Sequence, residues 1–490
     1  MSPSPVPRTH VERFSTPEAR AAKIERETTE KLASDSNNAE IYNERALARL
    51  RLQKFAEAFS DLQNAVKLNP KNAEYQANLG YVLWKLGRGR EAIEAERQAL
   101  KLDDKNYTAN YQLGRFLLRT GDKKLLPEAA GFLKKALEID PRQYEVRFEL
   151  IAAFREIGDT ASALSQLELL QDAKPSDARV VYVSGLLSLD KGDTKTAIER
   201  LTDAVRKDPN LYGAWQDLGL LYAKLNRWND AVNTFAELSK RQQDSAETAY
   251  FYSLSLYNTK RYPEAETEIR RALRLNGSSA EAHTLLGIIL AARGTAVSDA
   301  IDSLSQAVAL EPNNFDANFY LGRVQYLNRD FANAAKSLQT AVSLAPKNIE
   351  ARFYLGTVFE TLNESDKALA EYQEIVKLDE KSFFGQVGSG AVLLKQGKVE
   401  EAIAALTRAI NLDKESFEAN WTLGRAFILL EKFTEAEGVL RKAISLQPNR
   451  TDARYQLGIA LRRLGKTEEA RREFETVDKL NKEFREGKNP

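Results

Sequence analysis

Cysteine is absent from this 490-residue chain. That removes disulfide staples, thiol nucleophiles and thiolate metal sites in one step. It fixes no compartment, because an absent thiol suits reducing and oxidising surroundings alike. Methionine occurs once, as Met1, so no core relies on that flexible gap-filler. Histidine occurs twice, as His10 and His283; far apart in sequence, the two make no metal or catalytic pair and each reads as a lone surface histidine. Neither sign of charge dominates: 71 basic and 70 acidic residues leave +1, so no global field draws the chain to nucleic acid or to an anionic membrane. No apolar run reaches the ~18 residues that suggest a transmembrane helix.

Proline is scarce and unevenly placed. Pro3, Pro5, Pro7 and Pro17 are four of only 14 in the chain, so residues 1–15 read as an extended, disordered tail. The tail lacks the apolar core of a secretory signal. It also fits the remnant of a protein exported after cleavage of a signal, with Met1 added. Localisation is otherwise unassigned, cytoplasmic by default.

What the chain has in abundance is a ladder of thirteen alanines: Ala58, Ala92, Ala129, Ala163, Ala197, Ala231, Ala265, Ala300, Ala334, Ala368, Ala402, Ala436 and Ala470. The rungs are 34 residues apart, except for one interval of 37 and one of 35. A period of this size marks stacked supersecondary units whose core grows in one dimension. Aligned on the ladder, repeats start at Ala39, Ala73, Tyr107, Tyr144, Ala178, Tyr212, Ala246, Ala280, Phe315, Ile349, Phe383, Phe417 and Thr451. In residues 73–106, Leu79, Leu83 and Leu86 follow a helical spacing, Gly87 breaks it, and Ala92, Ala99 and Leu100 form the stripe of a second helix. Each repeat is therefore a pair of antiparallel helices, A then B. The fold class is all-α, an α-solenoid.

Counting from each start, with the three extra residues ahead of Ala129 and the one ahead of Ala300 set aside, position 20 is always alanine, and position 8 is glycine in ten repeats, Gly80, Gly114 and Gly322 among them. A helical glycine costs ~1 kcal/mol against alanine, so its recurrence predicts a close crossing of helices A and B at positions 8 and 20. Leucine fills position 7 in nine repeats, as at Leu113, Leu218 and Leu457, and supplies a continuous core.

The Leu-Gly pair at positions 7 and 8, glycine near 15, Glu-Ala or Asp-Ala at 19 and 20, a small residue at 27 and proline at 32 resemble tetratricopeptide repeats, in thirteen consecutive copies over residues 39–484. Departures are Ile151 for the glycine of repeat 144–177, Tyr252 and Ser253 for Leu-Gly in repeat 246–279, and a single consensus tryptophan, Trp215. The resemblance implies a right-handed superhelix whose A helices line the concave surface. Residues 16–38, with Ala22, Ile24 and Leu32 among many charges, read as an N-terminal capping helix. In the last repeat Arg471 and Asp478 stand where repeat 383–416 has Ile403 and Ile410, so its helix B reads as a polar cap closing the array, with residues 485–490 a C-terminal tail.

Motifs for chemistry dissolve on this frame. Gly465-Lys466-Thr467 has the look of a phosphate loop, but Ala460 stands where its first glycine belongs and no strand precedes it. Gly385, Gly388 and Gly390 follow a helix, not the strand of a dinucleotide fingerprint. They predict a soft point or bend near residue 388. Acidic residues at position 2, such as Glu247, Glu281 and Glu350, suit the positive end of helix A and form no catalytic pair. The chain reads as no enzyme, with no cofactor and no metal.

Position 5 of helix A carries Tyr111, Phe148, Tyr182, Tyr250, Phe319, Phe353, Trp421 and Tyr455. Position 9, one turn along the same face, carries Arg115, Arg323 and Arg425 beside three of them, and Leu186, Leu220, Leu254 and Ile288 in the middle repeats. On a concave surface this makes an apolar centre flanked by arginine–aromatic sites, suited to a peptide whose carboxylates or carbonyls meet the arginines. Tyrosine at position 5 also belongs to the family consensus, where it packs between A helices, and both readings stand for the rings. The family's carboxylate clamp needs lysine at position 5; here Glu44, Asn78, Gln112 and Glu149 follow at position 6 of the first repeats, and the clamp is absent. The expected function is a non-enzymatic scaffold, monomeric, binding protein or peptide segments in its groove. The alternatives are an assembly or secretion factor of a bacterial envelope and the regulatory array of a larger enzyme such as a glycosyltransferase.

Overall fold

A computed structural model describes residues 16–241, 245–294 and 296–485. The tail 1–15, with His10, and residues 486–490 lie outside the described residues. Among the described residues there are 27 α-helices, one short 3-10 turn at Lys123–Leu125 and no strand. The chain forms two compact bodies, residues up to Leu221 and residues from Tyr222 onward. Each is a stack of antiparallel helix pairs.

Every A helix begins at the residue that opens its repeat, from Ala39–Arg51 to Thr451–Arg463. The local cause is capping. Side chains of Asn72, Asn106, Asp177, Ser279, Asn314 and Ser416 accept hydrogen bonds from the first free N–H groups of their A helices. The A–B turn has an equally local cause. All thirteen residues at position 15 have positive φ. Seven are glycine, including Gly87 and Gly465, and six are Gln53, Asn226, Lys260, Arg329, Asn363 and Glu431. Gly465 thus serves a turn, and the likeness to a phosphate loop ends there.

The crossing of A on B differs from the sequence expectation in one respect. The space left by the position-8 glycine is filled by position 24, one turn beyond the ladder alanine on helix B. A β-carbon at Gly322 would lie 2.5 Å from Leu338 Cγ, at Gly390 2.5 Å from Leu406 Cγ, and at Gly458 2.7 Å from Phe474. The alanine contributes closeness of backbone: a β-carbon at Gly114 would stand 3.0 Å from the Ala129 carbonyl oxygen. Where serine replaces glycine, the Ser253 hydroxyl donates to the Ala265 carbonyl at 2.7 Å, so the same oxygen is used by a hydrogen bond.

The glycines behind the expected soft point or bend near residue 388 are sites of close packing. Phe383–Lys395 is one continuous helix. β-carbons at Gly385 and Gly388 would stand 2.9 Å from Ile375 and 2.7 Å from the Tyr372 ring. Tyr372 is the bulkiest aromatic at position 24, and Gly388 makes room for it, while Gly385 admits Ile375 and Val376.

Helix Pro17–Ser34 packs against Ala39–Arg51 through Ala21 and Leu32 and through charge. Asp61, 2% exposed, accepts from Arg45 Nη2 at 2.6 Å and from Arg49 Nη1 at 2.7 Å. Arg49 also donates to Glu25 at 3.1 Å, and Lys54 reaches Glu25 at 2.6 Å. The Lys54 hydrogen bond holds the Glu25 carboxyl below its ordinary pKa, with Arg49 adding to it against partial desolvation.

Candidate peptide-binding face

Helix A presents positions 2, 5, 6, 9 and 12 along one side, and this side carries the predicted residues. In the first body Tyr111 stacks on Tyr107 with ring centres 6.2 Å apart. Arg115 folds back over the Tyr111 ring at 5.6 Å and donates to its hydroxyl at 3.4 Å. Phe148 is covered by the Arg179 guanidinium at 4.7 Å, itself paired with Glu145 at 2.9 Å. The Tyr182 hydroxyl donates to Asp217 at 2.6 Å, and burial together with that carboxylate raises its pKa.

In the second body Phe319 is only 4% exposed, stacked 5.6 Å from Phe315 and edge-on to Tyr320 and Tyr354. Its ring supports the face from beneath. Arg323 lies over Tyr320 at 5.4 Å and Tyr354 at 4.9 Å and reaches Glu350 at 3.6 Å. Phe353 packs among Tyr354, Tyr372 and the exposed Phe384. Trp421 stacks on Phe417, with Arg425 over the indole at 5.1 Å and Arg450 over Phe417 at 4.1 Å. Arg425 is exposed and forms no ion pair among the described residues. Tyr455 leans on Phe474 and keeps 51% of its surface exposed.

The rings therefore pack within their own repeats and against adjoining ones, and most of them are half-buried. The arginines fall into three states: Arg115 is tied to its own ring, Arg323 is sandwiched and paired, and Arg425 is open.

Two clefts on this side meet at Tyr250. One cleft of about 450 Å³ is lined by Glu247, Tyr250, Phe251, Asn276, Ser279 and Glu281. A second, of about 300 Å³, is lined by Tyr250, Leu254, Tyr257, Ile288, Asp316 and Tyr320 among others, and also touches Glu281. The two share Tyr250 and Glu281. Burial, followed by the carboxylates of Glu281 and Asp316, raises the Tyr250 hydroxyl above its ordinary pKa. Burial, with Asp316 and Glu350 against the opposing Arg323, does the same to Tyr320.

The sequence reading did not assign Tyr257, Glu281, Asp316 and Tyr320 to this face. Position 2 carried a sufficient local explanation as helix-start acids, and the convergence of positions 2, 6 and 12 appears only when three A helices lie side by side. His283 sits apart from any chemistry, its Nε2 3.2 Å from the Gly277 carbonyl oxygen. Among the described residues no group of three or more histidines, aspartates or glutamates is placed to hold a metal ion, and no helix is long and apolar enough to cross a membrane.

Helix pairs of 34 residues, stacked with a side-chain-lined A face, define a helical-repeat protein of the interaction type. The chain belongs to the tetratricopeptide repeat family. Two models of that repeat match it, one over residues 43–107, 82–144, 254–298, 296–349, 328–383 and 389–451, the other over 188–254 and 428–488. Among curated proteins it is similar to tetratricopeptide repeat protein 37 of Xenopus laevis, 28% identical over 280 residues, 53% of this chain and 18% of that one. It is also similar to the BBSome complex member BBS4 homolog of Drosophila melanogaster, 22% identical over 280 residues, 48% of this chain and 57% of that one. The chain thus spans less than two thirds of either relative. Among solved structures, the APC/C hetero-tetramer Cut9–Hcn1 is matched at 14% identity over 92% of this chain and 97% of that one, with a TM-score of 0.45. YrrB, described as a TPR protein with an unusual peptide-binding site, is matched at 22% identity over 38% of this chain and 95% of that one, with a TM-score of 0.35. Tetratricopeptide repeat proteins are generally non-enzymatic scaffolds that bind proteins or peptides.

Proposed function

We propose that this protein is a non-enzymatic scaffold that holds peptide segments along its A-helix face, with the paired clefts at Tyr250 as the principal site. The observation that carries this reading is the meeting of two clefts at one aromatic residue on a face otherwise filled by packed rings. A peptide side chain gains from burial in such relief, while the polar groups along it satisfy the peptide backbone. Arg323, laid over the Tyr320 ring that lines one cleft, and Phe353, Trp421, Arg425 and Tyr455 extend the face in the same body. Tyr111, Arg115, Phe148 and Tyr182 offer the corresponding surface in the first body.

The test is selection of a random displayed peptide library against the full chain. Captured peptides should bind Tyr250→Ala and Ile288→Ala variants at least about tenfold more weakly, the scale of an interface anchor, with circular dichroism unchanged. Undiminished binding by both variants contradicts the reading.

A further inference from the structure

The charge of the Tyr250 clefts departs from the expectation that arginines greet a ligand's carboxylates. Glu281 and Asp316 are exposed at the start of neighbouring A helices and line the same cleft. Glu281 accepts a hydroxyl hydrogen bond from Ser279 at 3.0 Å, and neither it nor Asp316 forms an ion pair among the described residues. Glu247 stands on the adjoining cleft. Arg323, on the same face, is spread over the Phe319, Tyr320 and Tyr354 rings and offset by Glu350. Tyr250, Leu254, Leu285, Ile288 and Tyr320 give the same cleft an apolar surface, beside the neutral polar Asn258, Thr284 and Asn314. An acidic segment here would face the unpaired carboxylates of Glu281 and Asp316, whereas a lysine or arginine side chain can lay its aliphatic stem on the apolar surface and bring its charge to either.

We infer that the Tyr250 clefts take a cationic peptide segment in extended form, with lysine or arginine alternating with apolar side chains. This rests on the peptide-binding reading above and adds the chemistry of the ligand. The alternation follows from the cleft itself, whose lining combines carboxylates with aliphatic carbons, and an extended chain points successive side chains in opposite directions. The size of the segment follows from helix packing. Three A helices spaced ~8–10 Å apart present roughly 20 Å of surface, which about six extended residues at ~3.3 Å each cross.

The experiment starts from the library selected on the full chain and continues with one captured peptide and its charge-swapped copy, glutamate for each lysine or arginine. Captured sequences should be enriched in lysine and arginine between apolar residues. The captured peptide should bind at least about tenfold more tightly than its copy at low ionic strength. The advantage should shrink towards parity near 1 M salt, where the screening length falls to ~3 Å. A Glu281→Gln, Asp316→Asn variant, which alters only exposed side chains, should reduce the preference to within about threefold of parity. Captured peptides without basic enrichment, or a preference that survives in the double variant, overturn this inference while leaving peptide binding intact. A folded chain that captures no peptide overturns both.

Discussion

Gly80 and Glu96 share one space. A β-carbon on Gly80 would stand 2.6 Å from Glu96 Oε1, and the carboxyl fills the gap that leucine, isoleucine or an aromatic ring fills at position 24 of the other repeats. Glu96 is fully buried and neither of its oxygens has a hydrogen-bond partner. Burial raises its pKa well above the ordinary carboxylate value, so the neutral acid is the form the core accepts. Replacing Glu96 with leucine should stabilise this repeat by about 1–3 kcal/mol, the cost of a buried unpaired polar group.

The same residue sets a pH dependence with a definite sign. Below the unfolded carboxyl pKa of ~4.3, Glu96 is protonated in both states and costs least. As pH rises, the unfolded chain ionises first, so stability falls by up to about 1.4 kcal/mol per pH unit until the raised folded pKa is reached. Hydrogen exchange in Ala73–Lys85 and Gly89–Leu102 should therefore separate wild type from Glu96→Leu little at pH 4 and widely at pH 7. A gap that stays constant with pH removes Glu96 as its source.

Gly322→Ala should destabilise by roughly 1–3 kcal/mol through overpacking against Leu338. The double variant with Leu338→Ala should cost clearly less than the two single changes added, because the sites share one space. Gly131, in a B helix with no atom near its β-position, is the control. There alanine should stabilise by about 1 kcal/mol. Thermal melts of the four proteins decide it, and additive costs at 322 and 338 would contradict the contact.

Arg329 and Glu431 are exposed and hold φ of 62° and 54° at the A–B turn. Left-handed backbone costs a side-chain-bearing residue roughly 1 kcal/mol, so Arg329→Gly and Glu431→Gly should each raise stability by up to about that amount. Gly465→Ala should lower it similarly. Denaturant midpoints that move the other way would mean that these side chains contribute contacts outweighing the backbone term.

Asp61→Ala leaves Arg45 and Arg49 without their shared acceptor and should cost about 3 kcal/mol. In a linear array such a loss is local. Exchange should quicken in Pro17–Ser34 and Ala39–Arg51 while residues from Tyr222 onward are unaffected. A uniform loss along the chain would contradict the local character of the network.

The repeat frame was legible because it depends on short-range chemistry: the ladder alanines, the turn at position 15 and the caps recur at fixed spacing, and all thirteen A helices start where the alignment starts them. The partner of the position-8 glycine was misassigned, because alanine at position 20 is invariant whereas position 24 varies among leucine, isoleucine, phenylalanine, tyrosine and one glutamate. Constancy of size mattered there more than constancy of identity. The Tyr250 clefts were half legible. Tyr250, Leu254 and Ile288 stood out on one face, but Glu281 and Asp316 reach it from neighbouring helices, and one-dimensional periodicity carries no sign of which residues converge across repeats.

The central claim, that the A-helix face at Tyr250 is where this scaffold holds a peptide, is tested most directly by hydrogen exchange of the full chain with and without a captured peptide at saturation. The account predicts protection concentrated in Ala246–Asn258, Ala280–Arg293 and Phe315–Leu327, with little change in the paired B helices Tyr262–Leu275 and Val297–Leu310. Protection confined to the B helices, or spread elsewhere while these three A helices exchange as before, would contradict it.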